Sequence, residues 1–204
     1  MKRKKHAERA WVVARAELPT QFGRFTVLGI QGRGASEEAV AIQHGQVNEG
    51  SVPLVRVHSQ CLTGDVFASQ RCDCRAQLEF SLRKIANESA GIVLYLPQEG
   101  RGIGLINKLR AYELQDEGLD TVEANRRLGF AADSRDYDFA AAALKALGVR
   151  SVRLLSNNPD KIKQLERSGI RVVKRVPCRP RTSHHSRAYL RTKRNKLGHI
   201  LTGL

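Results

Sequence analysis

The first half of the chain places apolar residues in short runs that alternate with polar residues. Residues 10–18, 25–30 and 39–43 are β-branched or alternating and are separated by turn residues, which is typical of antiparallel strands. Residues 52–57 form a further run of this kind, and the compact apolar run at 92–96 predicts a buried strand. The N-terminal part of the chain is therefore predicted to be rich in β-structure.

Elsewhere, apolar residues recur every three or four positions, which is the spacing of one face of a helix. In the segment around Leu105 this face carries Leu109 and Tyr112, with Ile106 beside it, and it predicts a helix. Because Tyr112 lies on this apolar stripe, a tyrosine that packs in the core is one alternative for it. The same spacing predicts helices in three segments: 77–87, 103–117 and the segment of Phe139, Ala143 and Leu147.

A strand–helix–strand unit is predicted near the C-terminal end. Residues 152–155 and 170–173 are strand-like; between them Asn158 and Pro159 have the residue types of an N-cap and a first helical position, and Gly169 ends the helix. Such a βαβ unit joins parallel strands. We therefore predict a single domain of the mixed α/β (α+β) class, with a mixed sheet, a β-rich N-terminal part and this βαβ unit.

Composition limits the class of protein. The chain has 204 residues, of which 41% are hydrophobic, so it can bury the core of one domain, and collagen-like, disordered and disulfide-scaffold proteins are excluded. No apolar run approaches the roughly 20 residues of a membrane helix, and no apolar core of a signal peptide follows the basic start at Met1. We expect a domain over 1–180 and a basic tail over 181–204, which either forms one helix over 188–201 or is mobile.

The chain is strongly basic. Its formal net charge is +15 at pH 7, and from Arg171 onwards it has ten Lys or Arg residues and no acidic residue. Such a field attracts polyanions, which include nucleic acid, an anionic membrane surface and a highly phosphorylated small molecule. Charge alone does not choose among these partners, and a solvated basic tail explains it equally well.

Three of the four cysteines lie close together in the sequence, at Cys61, Cys72 and Cys74. Few cysteines without secretion signals indicate reduced thiols in a cytoplasm. Three thiolates could hold Zn²⁺ with one position open to water, the arrangement of a catalytic site. Two alternatives stay open: a closed site completed by His58 or Cys178, and thiols that only pack.

Two segments have the features of anion sites. Gln98-Glu-Gly-Arg-Gly-Ile-Gly104 follows a predicted strand and opens a helix, and Ser156-Asn-Asn-Pro-Asp-Lys161 does the same. Backbone amides at a helix start favour anions, and glycines let the backbone approach a ligand. Arg56, on a predicted strand, is a further possible contact to phosphate or base. Plain strand-to-helix turns and a solvated Lys161 are the alternatives.

Together these segments resemble GTP cyclohydrolase II, a family of zinc enzymes of riboflavin biosynthesis. The resemblance covers roughly residues 50–177, and several long motifs in the same order make it specific. It is carried by Arg56-Val-His-Ser-Gln-Cys-Leu-Thr-Gly-Asp65, Arg71-Cys-Asp-Cys74, Gln98-Glu-Gly-Arg-Gly-Ile-Gly-Leu105, Asn107-Lys-Leu-Arg-Ala-Tyr112, Asp120-Thr-Val-Glu-Ala-Asn125, Leu128-Gly-Phe-Ala-Ala-Asp133 and Ser156-Asn-Asn-Pro159.

The resemblance implies a reaction and a set of cofactors. GTP and water would give formate, pyrophosphate and 2,5-diamino-6-(5-phospho-ribosylamino)pyrimidin-4(3H)-one, with one Zn²⁺ per subunit and Mg²⁺ accompanying the triphosphate. The enzyme would be a cytoplasmic homodimer. Two alternatives remain: a paralogue that stops at the formamidopyrimidine nucleotide, and a zinc-stabilised nucleic-acid-binding protein that uses the basic tail.

The resemblance also implies roles for individual residues. Cys61, Cys72 and Cys74 would bind zinc. Asp133 would accept a proton, Arg135 would be the nucleophile at the α-phosphate, and Tyr112 would assist at the purine ring. The residues that would line the GTP site are Arg56, Val57, His58, Ser59, Gln60, Gln77, Glu99, Gly100, Arg101, Thr121, Ser156 and Lys161.

Chemistry supports these roles unequally. The carboxylate of Glu99 can accept two parallel hydrogen bonds from the guanine N1–H and 2-amino groups. A guanidinium is protonated at any accessible pH, so Arg135 is equally well explained as a phosphate clamp paired with Asp133. Three positions depart from the family pattern: Gln60 stands where Glu is usual, Arg75 stands where Gly is common, and Ser156 replaces Thr but keeps the hydroxyl.

Overall fold

The computed structural model describes residues 9–34, 37–180 and 187–201, so the expectations for the first residues and for parts of the tail lie outside it. Within the described ranges, seven strands form one sheet. The strands are β1 (Ala10–Thr20), β2 (Gly23–Gly32), β3 (Glu38–Gly45), β4 (Leu54–Ser59), β5 (Ala90–Leu96), β6 (Ser151–Leu155) and β7 (Arg171–Val176).

Six α-helices connect or follow these strands in the described part of the chain. They are α1 (Cys74–Ala86), α2 (Leu105–Asp116), α3 (Thr121–Arg127), α4 (Asp138–Ala146), α5 (Pro159–Arg167) and α6 (Arg187–Leu197). None of these helices has both the length and the hydropathy that crossing a bilayer requires. A mixed sheet with flanking helices in a single domain confirms the predicted fold class.

The sheet has an antiparallel half and a parallel half. Its order is β1-β2-β3-β5-β4-β6-β7. β1, β2, β3 and β5 pair antiparallel, as the alternating N-terminal runs predict. β5, β4, β6 and β7 pair in parallel, and β6, α5 and β7 form the predicted βαβ unit.

Helices cover both faces of the sheet. Because successive side chains of a strand point to opposite faces, Val55 of β4 joins one apolar cluster and Leu54 joins the other. α4 and α5 contribute Leu144 and Leu165 to the first cluster, and α1 contributes Ile85 to the second. The sheet is thus the middle layer of the domain.

The parallel strands end side by side at one edge of the sheet. β4 ends at Ser59, which pairs in register with Leu96 at the end of β5, and β6 ends at Leu155. In open α/β sheets, ligands bind outside the carboxyl ends of the strands. The segments that follow these three strands contain the sequence motifs singled out above.

Two predicted helices differ from the structure. The helix predicted over 103–117 is α2, but its buried residues are Lys108 and Ala111, whereas Ile106 and Leu109 of the apolar stripe are 61% and 42% exposed. The helix instead turns Lys108 inward, where it pairs with Glu99. The C-terminal helix was expected over 188–201, and the structure ends it at Leu197.

α3 has no counterpart among the helices predicted from the sequence. It has only seven residues and begins with a capping box, in which the Asp120 side chain accepts from the backbone of Glu123 and the Glu123 side chain accepts from the backbone of Asp120. An Asp followed three residues later by Glu is a known start signal for a helix. That signal, rather than apolar spacing, would have located α3.

Candidate functional site

The three clustered cysteines meet between the end of β4 and the start of α1. Their Sγ atoms all lie within 4.8 Å of one another. The Sγ atoms of Cys61 and Cys72 are 3.7 Å apart, and Cys74 is the first residue of α1. The residues that were close in sequence therefore form one site.

This sulfur cluster fits a tetrahedral metal ion. Zinc–sulfur bonds of about 2.3 Å at tetrahedral angles place neighbouring sulfurs roughly 3.8 Å apart. Cys178 packs in the apolar cluster under α1, and His58 faces Asp65, so neither completes the set. Three ligands would leave one coordination position open, as in catalytic sites.

Gly64 lets the backbone approach the sulfurs. It is buried in a π-helical turn over Leu62–Val66. A Cβ atom at this position would lie 3.0 Å from Sγ of Cys72 and 3.1 Å from Sγ of Cys61. Such contacts are shorter than normal van der Waals separations, which explains why the turn has no side chain here.

Asp65 holds the loop that carries the first sulfur. Its carboxylate accepts hydrogen bonds from the backbone N–H of Cys61 at 3.0 Å and from the hydroxyl of Tyr95 at 2.9 Å. Nε2 of His58 lies 3.2 Å from both carboxylate oxygens. Burial lowers the pKa of His58, which favours a neutral ring. This network fixes Cys61 relative to β4 and β5.

The crowded thiols titrate unequally. Hydrogen bonds from Cys72 and Cys74 lower the pKa of Cys61. The same bond to Cys61 raises the pKa of Cys72 to about 11, and contact with Cys61 raises the pKa of Cys74 as well. The cluster without a cation therefore favours one thiolate. A metal ion would compensate the charge of all three sulfurs, because metal binding releases thiol protons.

Lys108 links the sulfurs to Glu99. Its Nζ atom donates to Sγ of Cys61 at 3.2 Å and to Oε1 of Glu99 at 2.7 Å. Glu99 also accepts from the backbone N–H groups of Leu62 and Gly100, at 2.6 and 2.8 Å. Only 8% of Glu99 is exposed. This carboxylate is thus a buried, oriented acceptor beside the sulfur cluster.

Tyr112 of α2 contacts the π-helical turn that follows Cys61. Its hydroxyl lies 3.1 Å from Oγ1 of Thr63. Burial raises the pKa of Tyr112, so its hydroxyl stays protonated at neutral pH and can donate a hydrogen bond. The predicted alternative of a core tyrosine does not hold, because the ring borders a cavity.

A cavity opens beside the sulfurs, and we call it the sulfur-side cavity. It lies between the carboxyl ends of β4 and β5 and the helices α2, α3 and α6. Its lining includes Ser59, Gln60, Cys61, Cys74, Glu99, Gly100, Arg101, Lys108, Tyr112, Thr121, Arg135 and Tyr189.

A second cavity, the cationic cavity, shares five lining residues with the first: Ser59, Cys74, Arg101, Arg135 and Tyr189. It extends to the ends of β4 and β6. Its other lining residues include Arg56, His58, Gln77, Ser156, Asn157, Asn158, Lys161, Lys193, Leu197 and His199. The two cavities thus join a polar acceptor site to a strongly positive one.

Lys161 is a buried cation of the second cavity. Only 4% of it is exposed, so the alternative of a solvated lysine does not hold. Its Nζ atom donates to the carbonyl oxygen of Val57 at 2.8 Å. Burial, together with the charges of Arg56 and Arg135, lowers its pKa well below the usual value. An anion in the cavity would relieve this repulsion.

Arg56 and Gln77 are joined at the floor of the cationic cavity. Arg56 donates from one nitrogen to the carbonyl oxygen of Leu155 at 3.2 Å and from another to the side chain of Gln77. Gln77 in turn donates to Asp73. The helix predicted to begin at residue 77 begins at Cys74, so Gln77 lies within the first turn of α1.

Asp133 and Arg135 form an ion pair at the junction of the two cavities. Nε of Arg135 donates to Oδ1 of Asp133 at 2.8 Å. Burial raises the pKa of Asp133, but the hydrogen bonds and charge of Arg135 outweigh it and hold that pKa below its usual value. Burial by itself would lower the pKa of Arg135. Tyr137 and Asp133 have the larger, opposite effect, so the pKa is raised above its usual value and the guanidinium stays charged.

The backbone at Gly100 and Arg101 is left-handed. Their φ angles are 62° and 63°, within a 3₁₀ turn over Glu99–Gly102. For a residue with a side chain this conformation costs roughly 1–2 kcal/mol. The turn directs the Arg101 guanidinium between the cavities, where it donates to the carbonyl oxygen of Ala132 at 3.3 Å. Strain of this kind is typical of functional sites.

Most residues expected at the nucleotide site line one cavity or both. Val57 is the exception, because its side chain is buried in the core and only its carbonyl oxygen faces the site, through Lys161. Thr121, the first residue of α3, borders the sulfur-side cavity. Asp133 reaches the site through Arg135.

Among the residues that the structure places here and to which the sequence interpretation assigned no role, four carry ionisable or aromatic side chains: Lys108, Tyr189, Lys193 and His199. Lys108 was part of a motif but received no function. Tyr189, Lys193 and His199 belong to the basic tail, and all three line the cationic cavity. The recurrence of Tyr189, Lys193 and Leu197 every four residues was the available signal, because it puts them on one helix face.

Comparison with known proteins agrees with this geometry. A family model described as GTP cyclohydrolase II matches residues 11–177. The chain is 54% identical to GTP cyclohydrolase-2 of Hahella chejuensis, over 93% of this chain and 92% of that protein. It is 53% identical to GTP cyclohydrolase-2 of Azotobacter vinelandii, over 94% and 92%.

The chain also matches part of a longer protein. It is 53% identical to the riboflavin biosynthesis protein RibBA of Bacillus cereus, over 92% of this chain and 47% of that protein. The family match covers the cysteine cluster, the strained turn at Arg101 and the ion pair of Arg135. The chain therefore belongs to the GTP cyclohydrolase II family.

Proposed function

We propose that this enzyme hydrolyses GTP, opens the imidazole ring of the guanine and releases formate and pyrophosphate. The product is 2,5-diamino-6-(5-phospho-ribosylamino)pyrimidin-4(3H)-one, and the reaction begins riboflavin biosynthesis. One observation carries the proposal: a three-sulfur cluster and a buried carboxylate share a cavity that adjoins a pocket of buried cations. This arrangement suits a guanine base at one end and a triphosphate at the other.

Cys61, Cys72 and Cys74 would hold one Zn²⁺ per subunit. The sulfur spacing and the close approach at Gly64 support this choice. When bound, zinc supplies an acidified water and a Lewis acid beside the base. Asp65 keeps the Cys61 loop in place for it.

Glu99 would recognise the guanine. Its Oε1 accepts from Gly100 and Lys108 and its Oε2 from Leu62, so one of about four lone-pair sites is open on Oε2, and the second guanine donor would replace Lys108 on Oε1. The N1–H and 2-amino groups of guanine are two parallel donors of the required kind. Tyr112 stays protonated and can donate a hydrogen bond to a ring nitrogen, which stabilises charge that develops as the ring opens.

The cationic cavity would bind the triphosphate, accompanied by Mg²⁺. Arg56, Arg101 and Lys161 line it, and no ion pair with a carboxylate neutralises these three cations among the described residues. Planar guanidinium groups suit phosphate oxygens, and Lys161 adds a point charge. Mg²⁺ usually binds through substrate phosphates rather than through a protein cage.

Arg135 would act as an electrostatic clamp at the α-phosphate rather than as a covalent nucleophile. Its guanidinium is held protonated by Asp133 and therefore has no lone pair to attack phosphorus. Asp133 fixes the orientation of this guanidinium group. The clamp stabilises negative charge as pyrophosphate leaves.

The test is incubation with GTP and Mg²⁺, followed by quantification of formate and pyrophosphate, mass identification of the pyrimidine and metal analysis. We expect one formate and one pyrophosphate per GTP and about one zinc per subunit. Pyrophosphate without stoichiometric formate would instead indicate a product that stops at the formamidopyrimidine nucleotide. Tight RNA or DNA binding without GTP turnover would contradict the proposal.

The metal assignment has its own test. Cys72→Ser removes one thiolate, and it should lower zinc content and formate release together. Loss of outer-shell partners already costs about 10–100-fold in metal affinity or activity, so loss of a ligand should cost at least 100-fold. Cys178→Ala is the matched control, because Cys178 packs in an apolar cluster away from the sulfurs. Full zinc and activity in Cys72→Ser would exclude this site.

We also propose that the enzyme is a homodimer. Apolar side chains are exposed on the π-helical turn and on α2, where Val66, Phe67 and Ile106 are each at least 60% exposed. The two elements are joined by the hydrogen bond between Thr63 and Tyr112. Sedimentation should show a dimer that Phe67→Asp weakens; an unchanged dimer would place the interface elsewhere.

A cytoplasmic location is the remaining part of the proposal. All four cysteines are free thiols. Three of them must stay reduced to bind a metal, and cytosolic thiols are kept reduced. Cell fractionation should recover the enzyme with cytoplasmic markers.

A further inference from the structure

We propose that α6 and residues 198–201 close the nucleotide site, and that Lys193 is a positioning residue for the substrate phosphates. The inference rests on the proposed function, because it deepens the description of the same site. It also extends that site beyond residue 177, where the family match ends.

α6 presents one face to the cationic cavity. Tyr189, Lys193 and Leu197 follow one another at four-residue intervals and all line that cavity. Arg191 and Arg194, on the other side of the helix, are exposed. Within α6, Lys193 is therefore directed inward, and Arg191 and Arg194 are directed to solvent.

Lys193 is buried among groups of the site. Only 8% of it is exposed, and its Nζ atom donates to Oδ1 of Asp73 at 2.7 Å. The ammonium lies 4.4 Å from the centre of the Tyr189 ring, and the guanidinium carbon of Arg101 lies 5.7 Å from the same centre. Tyr189 thus stands between two cations that both border the cavity.

Positive charge is in excess around this residue. Burial and the charges of Lys193, Arg135, Lys161 and Arg101 lower the pKa of His199 to about 3. Lys193 also contributes to the lowered pKa of Lys161. The negative charge of Asp73 pairs with Lys193 and with no other of these cations. A polyphosphate in the cavity would lie close to Lys193, and its oxygens would compete with Asp73 for the ammonium group.

The two cavities are too small for a nucleotide, and α6 forms part of the wall of both. The sulfur-side and cationic cavities have volumes of about 90 and 60 Å³, whereas ligand pockets usually measure about 300–1,000 Å³. α6 is held by polar contacts: Lys196 pairs with Asp120 and Glu123, and the N–H of Ile200 donates to the carbonyl oxygen of Asn157 at 2.9 Å. Leu190, which is buried, adds an apolar contact.

These observations define a closing segment. α6 would move outward to admit the nucleotide and return once phosphate oxygens replace the carboxylate of Asp73 as the partner of Lys193. Because α3 carries both the partners of Lys196 and Thr121 of the sulfur-side cavity, the closed helix docks directly on the wall of the site.

The test compares Lys193→Met with Arg191→Met, which removes a cation from the exposed face of the same helix. Inorganic tripolyphosphate serves as the probe of the phosphate site and guanosine as the probe of the base site, with binding measured by calorimetry on the full zinc-loaded chain. Lys193→Met should weaken tripolyphosphate binding roughly 10-fold or more. Guanosine binding should change less than about 2-fold, and Lys193→Arg should restore most of the loss.

Hydrogen exchange gives a second readout. Tripolyphosphate should slow exchange of the α6 amides in the unmodified chain and in Arg191→Met, but not in Lys193→Met. Equal weakening of guanosine and tripolyphosphate by Lys193→Met would show a merely structural role and overturn the inference. The inference would also be overturned if tripolyphosphate did not slow hydrogen exchange of the α6 amides in the unmodified chain. These results do not depend on GTP turnover, so they separate failure of this inference from failure of the proposed reaction.

Discussion

At the scale of single residues, the site is dominated by cations held where they are not solvated. Lys161 shows this most clearly, because it has only a carbonyl oxygen as a hydrogen-bond partner among the described contacts. Burial and the neighbouring arginines lower its pKa. A bound phosphate would reverse both effects by supplying negative charge.

Nucleotide binding should therefore be accompanied by proton uptake. At a pH between the lowered pKa of Lys161 and its usual pKa near 10.5, the free enzyme binds fewer protons at this residue than the complex does. Calorimetry in buffers with different ionisation enthalpies measures the protons taken up. The uptake should disappear in Lys161→Met, and an unchanged uptake in that variant would assign it to another group.

The same difference in proton binding affects stability. The unfolded chain binds more protons at Lys161 than the folded chain does over this pH range, so the contribution of this residue to the free energy of unfolding increases as pH rises. Lys161→Met should remove that increase and stabilise the ligand-free protein relative to the unmodified chain at neutral pH.

Arg135 separates two possible mechanisms. As a clamp, Arg135→Ala should lower kcat roughly 100- to 1,000-fold, which is the cost of removing one preorganised donor. Arg135→Lys should recover part of the loss, because charge is kept while the planar fork is lost. Intact-protein mass spectrometry after rapid quenching of the unmodified enzyme is the check. A protein-bound GMP adduct would show that Arg135 is a nucleophile after all.

The departures from the family pattern have different structural outcomes. Arg75 lies in the first turn of α1, where its Nε donates to Glu79 at 3.0 Å, so neither a distorted turn nor a contact with the cavities follows from it. Gln60 borders the sulfur-side cavity. Its amide leaves the surroundings of the three sulfurs less negative than a carboxylate would.

At the scale of elements, the strands were more predictable than the helices. β2 and β3 follow from alternation and turn residues, because each buries alternate residues against the core, whereas β1 is mostly exposed and follows from its β-branched residues and its turn to β2. α2 differs from the pattern because its buried side is partly polar: Lys108 turns inward to pair with Glu99, and Ile106 and Leu109 are exposed, with Ile106 on the surface proposed for the dimer. Apolar spacing alone does not reveal a helix that serves a site.

α3 offers a direct test at this scale. Asp120→Ala removes the capping box and one partner of Lys196. Loss of such a cap costs about 1 kcal/mol, which lowers Tm by roughly 2–4 °C in a chain of this size. Asp116→Ala is the control, because Asp116 pairs with Arg71 at an exposed position, and exposed ion pairs contribute about 0–1 kcal/mol. Equal shifts in both variants would contradict the importance of the cap.

At the scale of the whole molecule, the parallel half of the sheet explains why distant motifs form one site. The segments after β4, β5 and β6 are separated by dozens of residues in sequence, yet the strand order places their ends together. The sequence motifs identified the residues of the cysteine cluster and most of the cavity lining. The contribution of α6 was missed, because charge alone does not indicate which lysine of a basic segment points inward; only the four-residue recurrence of Tyr189, Lys193 and Leu197 marks the inward face.

The net charge of +15 should make capture of GTP sensitive to salt. Electrostatic attraction over the surface is screened beyond roughly 10 Å at 0.1 M ionic strength, whereas contacts inside the cavity are screened less. Raising salt from about 0.05 to 0.5 M should therefore raise KM for GTP and leave kcat nearly unchanged. A parallel fall in kcat would mean that salt disturbs the buried cations themselves.

The short distance between two sulfurs has one more consequence. Sγ of Cys61 and Sγ of Cys72 are 3.7 Å apart, and Lys108 favours the thiolate form of the first. A thiolate beside a thiol is the arrangement that a peroxide oxidises most readily, taking two electrons from the pair and leaving a disulfide. Removal of the proposed zinc ion would therefore leave the thiols open to oxidation. A chelator and air together should inactivate the enzyme faster than either alone. A dithiol reductant with added zinc should restore the activity.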